Sequence, residues 1–281
     1  MQKTTSAYGI ISQVLQSEAD EASIAWINRL YFRRFTLIRA FVAFACLASI
    51  IASFMNVATW LPFAILALGL AGLVLLQVLR RSFAKQLVGF RDEKCDPALF
   101  CSRYLAYLQH TKSTADPMQE LFEYGMGLYW LGKWDDAIAL MAAVSGDLQK
   151  PKNVYLYHHL VGRCAWAQRD VETLANSISA LEALPPQPIA KNQKAHLAEL
   201  CALARLLEFE QAEAFEDAKR IIAELLEQPF VTKPQRVLLA IHTAYCSTDR
   251  TEATKWLEYA AQFGGTTWCA AEAKKLLAKT S

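Results

Sequence analysis

AFVAFACLASIIASFMNVATWLPFAILALGLAGLVLLQVL, residues Ala40 to Leu79, contains no Asp, Glu, Lys, Arg or His over forty positions. A helical crossing of a bilayer's hydrocarbon core takes about 20 apolar residues, so the run is long enough for two. Pro62 and the polar Asn56 and Thr59 stand near its midpoint. Arg33, Arg34 and Arg39 precede it, and Arg80, Arg81 and Lys85 follow it. Basic residues beside short hydrophobic spans stay on the cytoplasmic side. The stretch therefore predicts a transmembrane helical hairpin, Ala40–Val57 and Trp60–Leu79, within a segment 36–90. Both chain ends are expected to be cytoplasmic, in a multi-pass protein of the cell membrane.

Residues 56–60 remain for the turn, with Trp60 suited to the outer interface. Pro62 falls in the first turn of the second span, where its missing amide hydrogen has no helical partner to lose. Small residues recur along span one as Ala45, Ser49 and Ser53, with Ala48 and Ala52 beside them. Span two carries Ala64, Ala67, Ala71 and Gly72. Such residues let backbones approach closely in lipid, either within one hairpin or between several chains. No ionisable group lies inside the spans, which removes the usual marker of an ion or proton path. The first 39 residues do not resemble a secretory signal, because the charged lead and the apolar region of about 20 residues after it are both too long, so no cleavage is expected. Its stretch Glu18–Phe35 has helical periodicity, fitting either a helix lying at the interface or an extension of span one.

A chain of 281 residues leaves room for one or two soluble units besides the hairpin. The net charge of +2 gives no global basic field, so nucleic acid is not an expected partner. The lipid bilayer is, and the basic cluster around the spans fits anionic headgroups. Seven cysteines at irregular spacings, without C-x-x-C, favour buried reduced thiols over disulfides or a zinc site.

From Asp96 onward the apolar spacing is helical throughout, and no stretch alternates as a strand would. Asp96-Pro97 and Asp116-Pro117 each offer a capping carboxylate before a first-turn proline, and Asp116 with Gln119 fits a capping box. Pro185, Pro186, Pro188, Pro229, Pro234 and Gly264-Gly265 punctuate the rest. Helices are predicted over 97–112, 117–131, 134–145, 152–167, 170–183, 190–212, 214–228, 234–247, 250–262 and 266–279. Paired helices joined by short loops make 96–281 an α-solenoid, and the whole chain all-α.

One pair is more specific. Leu121, Tyr124-Gly125, Leu128, Gly132, Trp134, Ala137-Ile138 and Met141 resemble the tetratricopeptide repeat. Leu121, Leu128 and Met141 stand where that family has aromatics, and the terminal proline arrives late, as Pro151. Weaker echoes follow Gly162, at Phe215-Glu216-Asp217-Ala218 with Pro229, and at Thr251-Glu252-Ala253 with Trp256 and Tyr259. The likeness covers about 118–262, with 97–112 and 266–279 as end caps. In that family the first helix of each pair lines a concave groove that takes a protein or peptide partner. Carried over, the groove residues are Gln119, Phe122, Met126, Tyr129 and Trp130, then His159, Arg163 and Trp166. The aromatics could equally be covered by helix 97–112. For Arg163 a groove or solvent position is expected, because a buried arginine requires a partner.

No phosphate-binding loop, zinc-protease motif or nucleophile elbow is present. His158 and His159 diverge by about 100° on a helix and do not share a metal. The acidic run Glu208, Glu210, Glu213, Glu216, Asp217 reads as a solvated face or a cation site. No enzyme activity, cofactor or metal is expected. The sequence points to a membrane-anchored interaction scaffold or assembly factor. The alternative is an oligomeric membrane component, a pore or transport subunit, with the hairpin as its working part.

Overall fold

The structure is a computed structural model describing residues 6–55, 60–111, 117–144, 146, 148–185, 190–228 and 231–280, with only the backbone described at 190–192 and 280. The expected inter-span turn 56–59, the Asp116 cap and the breaks at Pro186, Pro188 and Pro229 lie outside the described residues. The described residues are all helical, with no strand among them. They form two units: Ala19–Gly89, and Met1–Glu18 together with Phe90–Ser281.

In the Ala19–Gly89 unit, α2 (Glu21–Ile27), a π-helical turn (Asn28–Phe32) and α3 (Arg33–Phe54) run as one helical stretch. Helix α4 (Trp60–Asp92) is the second long helix, and its last three residues belong to the other unit. Both stretches are long and apolar enough to cross a membrane. On α3 the buried positions are Val42, Ala45, Ser49 and Ala52, spaced three and four apart as one helical face requires. They meet α4. A side chain on Gly72 would lie 2.6 Å from Val42, and one on Gly69 would touch Ala45 at 3.7 Å. Ser49 Oγ donates to the Pro62 carbonyl across the pair at 2.8 Å. Ala45, Ser49 and Ala52 thus serve packing within one chain, whereas Ser53, Ala67 and Ala71 face outward. Glycine provides the contact on α4 because only glycine lets α3 come this close. The π turn turns Tyr31 onto Phe83, with ring centroids 4.4 Å apart.

The other unit begins with α1 (Ala7–Leu15), capped by Ser6, whose Oγ accepts from the Gly9 amide at 3.2 Å. It packs on α5 (Pro97–Thr111), α6 (Pro117–Trp130) and α7 (Trp134–Ala142). Then come α8 (Pro151–Gln168), α9 (Val171–Glu182), α10 (Ala190–Gln211), α11 (Phe215–Leu226), α12 (Lys233–Cys246), α13 (Arg250–Phe263) and α14 (Trp268–Thr280). The expected helices from 97 onward are present with ends shifted by at most about three residues. Local chemistry sets many of those ends. Asp96 accepts from the Leu99 amide at 3.1 Å and Asp170 from Thr173 at 3.0 Å, while Thr232 and Gln235 form a capping box.

Neighbours in sequence pack as pairs: α6 with α7, α8 with α9, α10 with α11, α12 with α13. First members also stack on one another, α6 on α8 and α8 on α10. Gly127, costly inside an isolated helix, has a packing reason. A Cβ there would lie 2.5 Å from Cys101 Sγ and 2.8 Å from the Phe100 ring, so α5 seats directly on this turn.

Each expected end-cap helix packs on the pair beside it, α5 on α6 and α14 on α12 and α13, and the segments that lead into α5 and α14 also meet. The Thr266 amide donates to the Cys95 carbonyl at 2.9 Å, and Thr266 Oγ1 donates to Asp96 Oδ1 at 2.9 Å. Trp268 meets Trp134 edge to face at 5.5 Å. Gly265, at φ +58°, makes the contact possible: a Cβ would sit 2.1 Å from the Cys95 carbonyl oxygen. The succession of pairs closes on its own beginning. Five of the seven cysteines, Cys95, Cys101, Cys164, Cys246 and Cys269, are buried thiols within this unit. Burial pushes Cys101 and Cys164 up to about 12, so they are held protonated.

Gly127→Ala is expected to lower the melting free energy by about 1–3 kcal/mol despite alanine's better helix propensity, because Phe100 and Cys101 leave no room. Gly146→Ala, with nothing within 4 Å of its Cβ position, should be neutral within about 0.5 kcal/mol. Thermal denaturation followed by circular dichroism compares them.

Candidate functional site

Helices α6, α8, α10 and α12 turn the same face toward one cavity of about 550 Å³, joined by Arg91 and Asp92 at the end of α4. The register is regular. Arg163 bonds Glu199, 36 residues on, and Glu199 bonds Gln235, again 36 on. Glu123, His159, Ala195 and Val231 follow the same interval and line the same space. The walls are largely apolar, from Phe122, Met126, Trp130, Leu203, Leu225, Leu238 and Leu239.

Inside lies a buried polar cluster. Arg163 Nη1 donates to both Glu199 oxygens, at 3.0 and 3.2 Å, and Gln235 Nε2 donates to Oε1 at 2.6 Å. Arg163 and Glu199 are 3% and 7% exposed. Burial alone would raise the Glu199 carboxyl; Arg163, with His159 and Gln235 beside it, overrides that and holds it at about 2. The Arg163 guanidinium lies over Tyr129 at 4.9 Å and Trp130 at 5.5 Å, so its other face meets aromatic density. His159 Nε2 stops 3.8 Å from Glu199 Oε2, beyond a hydrogen bond. Its ring stacks on Phe122 at 5.6 Å and on His196 at 4.1 Å, and His196 bonds the Tyr155 hydroxyl. Burial lowers both histidines; the neighbouring His159 and Arg163 add to it for His196, which falls to about 3. At neutral pH both are uncharged. At the rim, Arg91 pairs with Asp92 at 2.7 Å and Glu123 at 2.9 Å, and those carboxylates outweigh burial and keep it protonated.

With neutral histidines the cavity is lined by two cations (Arg91, Arg163) and three anions (Asp92, Glu123, Glu199). Every one of these charges already has a partner within the protein. The cavity therefore offers apolar contact and neutral hydrogen-bonding groups rather than a free charge. Among the described residues, no three His, Cys, Asp or Glu side chains are grouped to hold a metal.

Of the residues expected to form a groove, Phe122, Met126, Trp130, His159 and Arg163 line this cavity. Gln119 does not; it donates to Glu123 Oε1 at 3.2 Å. Tyr129 is fully buried beneath Arg163. Trp166 lines a separate cavity of about 210 Å³ with Trp134, Glu210, His242 and Trp268. The reason is angular. Neighbours on a helix diverge by about 100°, and here Trp130 reaches the cavity while Tyr129 lies beneath Arg163. Of the groove or solvent position expected for Arg163, the structure has it on the cavity lining, buried with Glu199 as its partner. Helix α5 covers the Gly127 side of α6, and the aromatics are covered by α8 instead. Glu199, Gln235, His196, Tyr155 and Arg91 escaped the sequence reading. Apart from Asp92 beside Arg91, their partners stand 32 or more residues away, with no spacing signature to announce them. Within the acidic run, Glu210 turns inward to His242 Nδ1 at 2.5 Å, while Glu216 and Asp217 pair with Lys219 and Arg220 at the surface.

Arg163→Met strands a buried carboxylate and should cost about 3–5 kcal/mol, whereas Arg163→Met with Glu199→Leu should recover most of that loss. Chemical denaturation of the two variants checks this. The depressed histidines set a second expectation. Their unfolded forms bind protons from about pH 6.5 downward while the folded forms resist, so stability is full above that pH and falls on acidification. Between pH 7 and pH 5 His196 alone should remove about 2 kcal/mol, and His196→Asn should flatten the slope of the melting temperature against pH.

No protein-family model matches the chain, and no curated protein or solved structure is detectably similar to it.

Proposed function

We propose that this protein is a membrane-anchored binding module, in which α3 and α4 cross the bilayer as a hairpin and the helix pairs from α6 to α13, built like tetratricopeptide repeats, take up a short segment of a partner protein. The cavity carries the reading: four successive helix pairs contribute residues to one mostly apolar space, with lining positions recurring at 36-residue intervals. A segment entering it would lay apolar side chains against Phe122, Met126, Leu225 and Leu239. Its backbone would meet His159, His196 and Gln235. The buried Arg163–Glu199 pair keeps the pocket's shape without demanding a charged ligand.

Two observations support the anchor. The outward faces of α3 and α4 carry Leu37, Phe44, Phe54, Phe63 and Val78, each more than half exposed to surroundings that only lipid makes favourable. Helix α1 precedes both spans yet packs on α5, α6 and α7, which follow them. An even number of crossings returns the chain to the side it left, and the basic residues at both ends favour the cytoplasmic side. The inward use of Ala45, Ser49 and Ala52 supports a role for those residues in packing one hairpin.

A photoreactive residue at Ala198, an exposed position on the cavity lining, should give a discrete adduct with one partner in native membranes. The same residue at Glu172, on the outer face of α9, should give none. Loss of the adduct when Ala195 is replaced by Trp would place the partner in the cavity; equal adducts at both positions would sink the reading.

A further inference from the structure

The Ala19–Gly89 unit holds a second cavity. Helices α3 and α4 touch at Gly72 and Val42, and the Tyr31–Phe83 stack joins them again nearer their charged ends. Beside those contacts an open groove of about 550 Å³ runs along the two helices. Val42, Ala43, Leu73, Val74 and Leu76 form its apolar wall, and Arg39, Gln77 and Arg80 complete it.

The charge around it is one-sided. From Ala22 to Phe90 the sequence has Arg29, Arg33, Arg34, Arg39, Arg80, Arg81 and Lys85 and no acidic residue at all. Within this unit only Asp20 and Glu21 are acidic, and Asp20 caps α2 by accepting from the Ser23 amide. Arg39 lies against the Phe35 ring at 4.5 Å, a contact that leaves its donors available. Two guanidinium groups thus border an apolar slot at the level where a bilayer's phosphates would lie, and no carboxylate lines it. Arginine forks match phosphate geometry, and basic pockets between spans on the cytoplasmic side suit anionic headgroups.

We infer that this cavity holds one anionic phospholipid, its phosphate between Arg39 and Arg80 and one acyl chain against Val42, Leu73 and Leu76. The inference rests on the hairpin crossing the bilayer but is independent of what the larger cavity binds. Phosphate and acyl chain are recognised together, so a free phosphate monoester does not occupy the site.

The test uses the full chain in detergent micelles, with native mass spectrometry counting retained lipid from an equimolar mixture of phosphatidylglycerol and phosphatidylcholine. Preferential retention of one phosphatidylglycerol is expected. Arg39→Gln and Arg80→Gln should each reduce it about fivefold and the pair about thirtyfold, while glycerol phosphate should not displace it. Arg81→Gln, outside the cavity lining, should change retention by less than about twofold. Equal retention of both lipids, an Arg81→Gln loss as large as that of Arg80→Gln, or displacement by glycerol phosphate would each overturn the proposal. Release of the chain from membranes by alkaline carbonate would instead remove the bilayer crossing itself, and this site with it.

Discussion

A single carboxylate, Glu199, ties three helices together. It receives Arg163 from α8 and Gln235 from α12 while standing on α10 itself. Removing such a pair from water costs several kcal/mol per ion, and the mutual attraction offsets this only when the remaining hydrogen-bonding capacity is met. Here Gln235 meets part of it, and Tyr129 and Trp130 cover the open face of the guanidinium. A pair so expensive to desolvate adds little net stability. What it adds is register: one residue of slip along α8, α10 or α12 would leave a buried charge alone.

Closure of the helix pairs works with that register. An open array leaves its inner face to solvent, and the residues on it remain a groove. Joining Cys95 and Asp96 to Thr266, with Trp134 against Trp268, turns the inner face into a walled cavity. The aromatics of α6 and α8 then lose their solvent, and histidines in the same space lose the hydration that would let them carry charge.

The long apolar helices follow different physics. Within their unit they meet through the smallest side chains available, with Gly69 and Gly72 on one and Val42, Ala45 and Ser49 on the other. Close backbone approach maximises dispersion contacts between surfaces that are otherwise uniformly apolar. Toward the basic residues, Arg39 and Arg80 border a groove that no carboxylate lines, consistent with an anion supplied from outside the chain.

Local features of the sequence determined the helices. Asp96, Asp170 and the Thr232–Gln235 pair cap them, prolines open them, Gly264 and Gly265 end one, and the uncharged run Ala40–Leu79 announces two long apolar helices. These signals act over a few residues, so they are legible without any tertiary contact. The site was legible only in part. Phe122, Met126, Trp130, His159 and Arg163 were placed by helical spacing on a single inner face, but Tyr129 and Trp166 were not separable from them until the rotation of α6 and α8 was known. Only the tertiary structure decided that Glu199, Gln235 and His196 belong with Arg163, and that the last helix returns to the first. Those pairings join residues 36 to 170 positions apart with no shared type or spacing signature. Their energy comes from desolvation and hydrogen bonding, which do not exist until the helices have stacked.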